Sequence, residues 1–222
     1  NTLQGNVISG GFTLNNSGDN LIGGSTIGAG NTFTQAGLTL TGPSSYGNQI
    51  YGNTIGTSTQ SLAAEGVLIQ GGAKNNLIGG ENPGEGNTIV NASGNGVVLS
   101  DLGTEFNAVS GNMIGNDGTV AIANSSGVVI RDGASRNKIG GSVFGARNII
   151  SGNRQAGVYI VGAGTNDNSV VGNFIGVDRT GVIGLPNTGA GVEIADGASN
   201  NKIGDVVPGK ANLIGGNLSS GV

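Results

Sequence analysis

The chain has 222 residues, of which 47 are glycine, 10% are charged and 4% are aromatic, and its formal net charge at pH 7 is −4. Because it lacks both cysteine and histidine, the composition excludes disulfides, thiolate or imidazole metal sites and histidine-dependent catalysis. The few scattered cations argue against a nucleic-acid partner, and the 36% of hydrophobic residues argues against disorder.

Taken in chain order, the most regular element is a tetrad of glycine, an apolar residue, any residue, and isoleucine or leucine. It opens at Gly37, Gly66, Gly96, Gly127, Gly157 and Gly191, with a degenerate copy at Gly11 and the start of another at Gly221. Successive glycines lie 26, 29, 30, 31, 30, 34 and 30 residues apart. Each tetrad predicts a short strand that recurs once per unit of about thirty residues.

A second signature, asparagine followed two residues later by Ile, Val or Phe, occurs twice in each unit, as at Asn137 and Asn148. The two asparagines lie 11 residues apart in the units that open at Gly66, Gly127 and Gly191. They lie 5 apart in the units that open at Gly37, Gly96 and Gly157. Each unit therefore holds three predicted strands, and the true repeat is a pair of units, about sixty residues long.

Strands that recur only once per unit cannot alternate as hairpins, whereas stacking the units places like strands side by side in parallel. The sequence thus predicts an all-β fold, a parallel β-helix with three short parallel sheets and about seven coils, as a single domain over residues 1–222 and roughly 35 Å long. Val67 and Ile69 should point inward and Leu68 outward. The regular asparagines should occupy the bends with positive φ and form a hydrogen-bonded ladder from coil to coil.

The segment "NKIGGSVFGARNIISGN", together with "GVVI" before it, resembles the right-handed parallel β-helix repeats of the pectate-lyase-like superfamily. It is most similar to the repeat arrays of large secreted or surface proteins of bacteria and archaea, and the likeness covers essentially the whole chain. The resemblance implies a right-handed coil and an extracellular or cell-surface location. No apolar segment approaches the roughly 18 residues of a membrane span, so membrane insertion is not expected.

Many β-helices of that superfamily are polysaccharide lyases, hydrolases or epimerases, which makes an enzyme the competing interpretation. The Gly-His-Gly and Asp-Pro-His-Glu motifs of two such groups are missing here. The outward row of the tetrad strands offers only one carboxylate, whereas glycoside hydrolysis needs a pair. An ice-binding face of threonines is disfavoured because the threonine pairs do not recur along the chain. The sequence therefore predicts no catalytic residues.

The predicted contact surface, for a glycan or for lateral packing, is the outward row of the tetrad strands and the turn after it. An apolar stripe on this row would be covered by a loop or would contact another molecule. Its residues are Leu68, Val98, Val129, Arg131, Asp132, Tyr159 and Glu193. Asp101, Asp132 and Asp196 follow these strands and are interpreted as turn caps. Their alternative role is a calcium ladder, and no other cofactor is expected.

Neither terminus carries a predicted cap, and the C-terminal start and the N-terminal remainder belong to the same kind of coil. Two explanations are open: the chain is an excerpt of a longer array, or copies stack end to end. The residues expected at such an end-to-end contact are Asn1, Leu3, Asn6, Ile8, Leu213, Asn217, Gly221 and Val222. The function predicted from the sequence is a non-catalytic extracellular stalk, adhesin segment or filament subunit, with a carbohydrate-binding or carbohydrate-cleaving β-helix as the alternative and a surface polysaccharide as a candidate partner.

Overall fold

The computed structural model describes residues 1–222 and contains 23 short β-strands and one 3-10 helix, Phe144–Ala146. The strands form three parallel sheets, which the chain visits in the same order in every coil. The seven strands of the third sheet delimit six complete turns, and partial coils lie beyond them. The predicted all-β parallel β-helix is confirmed. The structure contains no helix of the length and apolar character that crossing a bilayer requires.

The first sheet consists of β1 (Thr2–Leu3), β4 (Leu21–Gly23), β7 (Gln49–Tyr51), β10 (Leu77–Ile78), β13 (Ala108–Val109), β16 (Lys138–Gly140), β19 (Ser169–Val171) and β22 (Lys202–Ile203). The second sheet consists of β2 (Val7–Ile8), β5 (Thr32–Phe33), β8 (Thr54–Ile55), β11 (Thr88–Ile89), β14 (Met113–Ile114), β17 (Ile149–Ile150), β20 (Phe174–Ile175) and β23 (Leu213–Ile214). The third sheet, built from the glycine tetrads, consists of β3 (Phe12–Asn15), β6 (Leu38–Thr41), β9 (Val67–Gln70), β12 (Val97–Ser100), β15 (Val128–Arg131), β18 (Val158–Val161) and β21 (Val192–Ala195).

The interior is a set of aliphatic columns, because equivalent residues of successive coils pair directly. In the third sheet Val97 pairs with Val67 and Leu99 with Ile69, and all four side chains are fully buried. The core cluster contains 28 buried residues that run through the stack. Ile194 belongs to the same inward row, yet it is 40% exposed because it lies in the last strand of the sheet and no further strand covers it.

Two asparagine ladders run the length of the rod, as predicted. One precedes the strands of the first sheet and the other precedes those of the second. The first ladder joins Asn1, Asn20, Asn48, Asn76, Asn107, Asn137, Asn168 and Asn201. The second joins Asn6, Asn31, Asn53, Asn87, Asn112, Asn148, Asn173 and Asn212.

Every rung has the same direction. The side-chain Nδ2 of Asn87 donates to Oδ1 of Asn112 at 2.9 Å, and the backbone N–H of Asn87 donates to the same oxygen at 3.0 Å. Asn87 Nδ2 also donates to the carbonyl of Ile50 in the preceding coil at 2.7 Å. The ladder thus satisfies buried amide groups that a bend would otherwise leave without partners.

A third, shorter ladder was missed at the level of sequence. It joins Asn124, Asn153, Asn187 and Asn217 before the third sheet. Its signal was present in the chain, because Asn153, Asn187 and Asn217 each lie four residues before a tetrad glycine. In earlier coils the equivalent position is apolar, as Leu62 and Ala92 show by pairing with each other while fully buried.

The prediction that the ladder asparagines themselves take positive φ is wrong. Before the first sheet, the residue with positive φ is the one immediately before each ladder asparagine, even where that residue type rarely adopts positive φ. These residues are Asp19, Gly47, Asn75, Phe106, Arg136, Asp167 and Asn200. A phenylalanine and an arginine are held in this conformation because the ladder fixes the next residue.

Candidate ligand-binding groove

The outer face of the second sheet lies between two rows of loops. Long connections from the first to the second sheet occur in alternate coils, at residues 24–31, 79–87, 141–148 and 204–212. Long connections from the second to the third sheet occur in the intervening coils, at residues 56–66, 115–127 and 176–191. The first kind of loop precedes the strands of the second sheet and the second kind follows them. Because the two kinds therefore lie at opposite ends of these strands, they form the walls of a groove.

Glycines in the short connections hold the first row of loops together. The N–H of Gly52 donates to the carbonyl of Glu85 at 3.0 Å, and the N–H of Gly111 donates to that of Ala146 at 3.1 Å. Gly172 donates to Lys210 in the same way, at 3.1 Å. A long loop of one coil thus packs on the short connection of the coil before it, and this contact fixes the position of the loop.

The floor of the groove is the outward row of the second sheet, and its chemistry changes along the rod. After Val7 the row consists of three threonines, followed by the thioether of a methionine and then by aliphatic and aromatic side chains. The row reads Val7, Thr32, Thr54, Thr88, Met113, Ile149, Phe174 and Leu213. Cavities of about 360, 520 and 390 Å³ lie over this floor in turn. The last two share Phe144 and Gly145 in their linings, so they adjoin each other.

The second wall is ordered by aspartate–threonine pairs that recur in equivalent loops. The hydroxyl of Thr119 donates to Asp117 at 2.8 Å, and that of Thr180 donates to Asp178 at 2.7 Å. The hydrogen bond from the Thr180 side chain, aided by backbone N–H groups of the loop, holds the pKa of Asp178 below its ordinary value, although burial acts the other way. The loop around Asp178 is therefore tied together by an ionised carboxylate.

Acidification is expected to loosen this loop. Because the folded-state pKa of Asp178 is lowered, its contribution is complete above the unfolded value of about 4 and is lost as pH falls through the folded value. Amide exchange of Val182 and Ile183, corrected for intrinsic rates, should accelerate below about pH 4. The Asp178→Asn chain should show no such acid-dependent step. Unchanged protection in the wild type between neutral and strongly acidic pH would contradict this role.

The predicted contact row lies on a different face, the outside of the third sheet, and the register brings its members together. Leu68, Val98, Val129, Tyr159 and Glu193 occupy adjacent paired positions. The centre of this apolar row is covered, because Val98 is fully buried and Val129 is 5% exposed. Leu68 and Tyr159, at either side of this covered centre, are partly exposed, and Glu193 is exposed.

The chemistry of that row is limited. Burial, with smaller contributions from Asp196 and Glu193, raises the pKa of Tyr159. Arg131 pairs with the adjacent Asp132 at 3.4 Å, so their charges largely offset each other. Glu193 is the only carboxylate within the paired row, whereas glycoside hydrolysis uses two.

The predicted turn caps Asp101, Asp132 and Asp196 lie in the turns that follow the strands of the third sheet. Asp101 accepts the backbone N–H of Gly71 at 3.0 Å, and the Ser100 hydroxyl lies within hydrogen-bond distance of the carboxylates of both Asp101 and Asp132, at 3.0 and 2.9 Å. Asp101, Asp132 and Asp196 all take positive φ. No group of three or more Asp, Glu, His or Cys side chains in the chain is arranged to hold a metal ion.

The residues expected at an end-to-end contact divide between opposite ends of the stack. Asn1, Leu3, Asn6 and Ile8 lie in or beside the edge strands β1 and β2. At the other end Leu213 lies in β23, and Gly221 accepts the N–H of Val192 at 2.9 Å. Asn217 ends the third ladder, and Val222 is exposed beside it.

Sequence reasoning missed the groove residues Arg147 and Phe174. They lie on separate coils, and their contact follows only from the stacking register. Comparison of the chain with protein-family models, curated proteins and solved structures finds no match.

Proposed function

We propose that the protein is a non-catalytic structural β-helix, a stiff rod that serves outside the cell or at its surface as a stalk, an adhesin segment or part of a filament. The observation that carries this proposal is the pair of asparagine ladders that run through every coil. They stiffen the rod along its axis, since each coil is hydrogen-bonded to the next by side chains as well as by backbone.

The ladders have one polarity along the whole rod, and this polarity bears on how copies of the chain would stack. In the interior, every ladder asparagine directs Nδ2 toward the next coil and receives donors on Oδ1 from the previous one. At the high-numbered end, Nδ2 of Asn201, Asn212 and Asn217 donates only to backbone carbonyls of the preceding coil. Whatever stacks on this end, further coils of the chain or another copy, is best matched when it presents acceptors. Asn1 and Asn6 present such oxygens at the opposite end.

Stacking between copies would be head to tail, and it has a sharp test. Purified chain at rising concentration should form rods in electron microscopy and sediment as a series of growing species. Ile8→Lys places an inward-pointing charge on the edge strand β2, which should block this end and leave the other end free. Substoichiometric Ile8→Lys chain should therefore shorten wild-type rods.

The matched control is Ile27→Lys, which makes the same charge change on a fully exposed loop residue. This variant should assemble as the wild type does. A wild-type chain that remains monomeric at high concentration, or an equal effect of the two lysines, would contradict end-to-end stacking. Glycan-array and polysaccharide-depolymerisation assays test the alternative, in which Arg131, Asp132, Tyr159 and Glu193 bind or cleave a carbohydrate. Depolymerisation would overturn the non-catalytic assignment.

A further inference from the structure

The groove contains a positively charged pocket near the middle of its apolar half. Arg147, on the first wall, places its guanidinium carbon 3.9 Å from the ring centroid of Phe174 and 5.0 Å from that of Phe144. Stacking between two rings fixes the guanidinium plane and leaves its edge as the direction for hydrogen bonds. Arg179, on the second wall, lines the same cavity together with Thr180.

Neither arginine of this pocket has an acidic partner. The four ion pairs of the chain involve Arg131, Arg136, Lys202 and Lys210, and none involves Arg147 or Arg179. The Nε of Arg147 is shielded from solvent and has no hydrogen-bond partner. Asp178, which is adjacent to Arg179 in the sequence, already accepts hydrogen bonds from the hydroxyl of Thr180 and from the N–H groups of Val182 and Ile183. Two cations thus share a cavity in a chain whose net charge is negative.

We propose that this pocket binds a sulfate ester carried on a polysaccharide chain. Two arginines carried on opposite walls of one cavity suit a tetrahedral oxyanion, because a sulfate ester has three free oxygens that can accept hydrogen bonds from both. The ligand stays charged at all physiological pH values, so it compensates the two arginines permanently. This site is independent of the structural role proposed above.

The shape of the groove indicates that the oxyanion is attached to a polymer. A larger cavity lined by Gly80, Asn82 and Met113 adjoins this one at Phe144 and Gly145, which gives neighbouring sugars a place to lie. Phe144, at the junction, is 82% exposed and presents an apolar ring to the groove. A free inorganic ion would use the arginines and leave this surface uncovered.

Binding is to be measured by isothermal calorimetry on the full chain with dextran sulfate, unsulfated dextran, polygalacturonate and sodium sulfate. Dextran sulfate should bind, and its affinity should fall as sodium chloride is raised. Arg179→Gln and Arg147→Met should each weaken this binding by about tenfold or more, as expected for loss of a charge-assisted hydrogen bond. The methionine preserves the packed stem between the two rings.

Arg136→Gln is the matched control, since it removes one positive charge from an exposed arginine paired with Glu105, away from the groove. The affinity of the Arg136→Gln chain for dextran sulfate should differ from that of the wild type by less than about twofold. Circular dichroism shows whether each variant is folded, and Arg179, being exposed, can be replaced without disturbing the core. Absence of dextran sulfate binding, equal losses in Arg179→Gln and Arg136→Gln, or sodium sulfate or polygalacturonate binding as tightly as dextran sulfate would each overturn the proposal.

Discussion

Replacing Asn112 by alanine is expected to lower the free energy of unfolding by about 3 kcal/mol or more. This residue is fully buried in the second ladder. Its Oδ1 accepts from both the backbone and the side chain of Asn87, while its own Nδ2 donates to Asn148 and to the carbonyls of Ile78 and Ser110. Alanine removes all of these bonds at once and leaves their partners buried without water.

Urea denaturation of the wild-type and Asn112→Ala chains measures this loss. The comparison variant is Asn15→Ala, which removes an exposed asparagine outside the ladders and should change the unfolding free energy by less than about 0.5 kcal/mol. Because coils of a solenoid contact only their neighbours, amide exchange should also accelerate most in the coils adjacent to Asn112. Equal stabilities of the two variants would show that the ladder contributes little.

Gly111→Ala is expected to have a comparable effect, about 3 kcal/mol, through the wall of the groove. Gly111 has φ of +71°, and an added Cβ would lie 2.8 Å from the carbonyl oxygen of Gly145 and in still closer contact with that of Gly80. Both carbonyls belong to long loops packed on either side of it. The alanine would separate them and break the hydrogen bond from Gly111 to Ala146.

Gly28→Ala separates backbone strain from this packing effect. Gly28 has a similar φ of +82°, but nothing lies within 4 Å of a Cβ built there. This variant should lose only the roughly 1 kcal/mol that the left-handed conformation costs an L-residue. Thermal unfolding of both chains gives the comparison. If Gly111→Ala lost no more stability than Gly28→Ala, the loops would not depend on close contact at Gly111.

The sheets were predictable from the sequence because each strand carries its own local marker. A glycine before Val67 or an asparagine two residues before Ile139 marks both the strand and the inward residue, and the regular spacing gives the register. Whether the outward residues Val98 and Val129 are covered was left open by the sequence, since alternation along a strand gives the face of a side chain and not what packs over it. The same holds for Phe106, whose positive φ is imposed by the ladder residue that follows it.

For the candidate site, the sequence allowed prediction of the long loops but not of the groove that they form. The alternation of 11-residue and 5-residue spacings is visible in the chain, and it implies long loops in every second coil. That these loops and those of the other coils flank one sheet depends on the order in which the chain visits the three sheets. Arg147 and Phe174 carry no shared motif, so their stacking emerges only when consecutive coils are superposed.

The alternation of the loops also limits how such a rod can be lengthened or shortened. Each long loop of the first wall rests on a glycine-containing short connection, so two successive coils of the same kind would press bulky loops against each other. Deletion or duplication of a single coil should therefore disrupt the wall, while a change by two coils preserves every contact. Two coils are therefore the smallest unit by which such a rod can be extended or shortened, whether by gene duplication or by engineering.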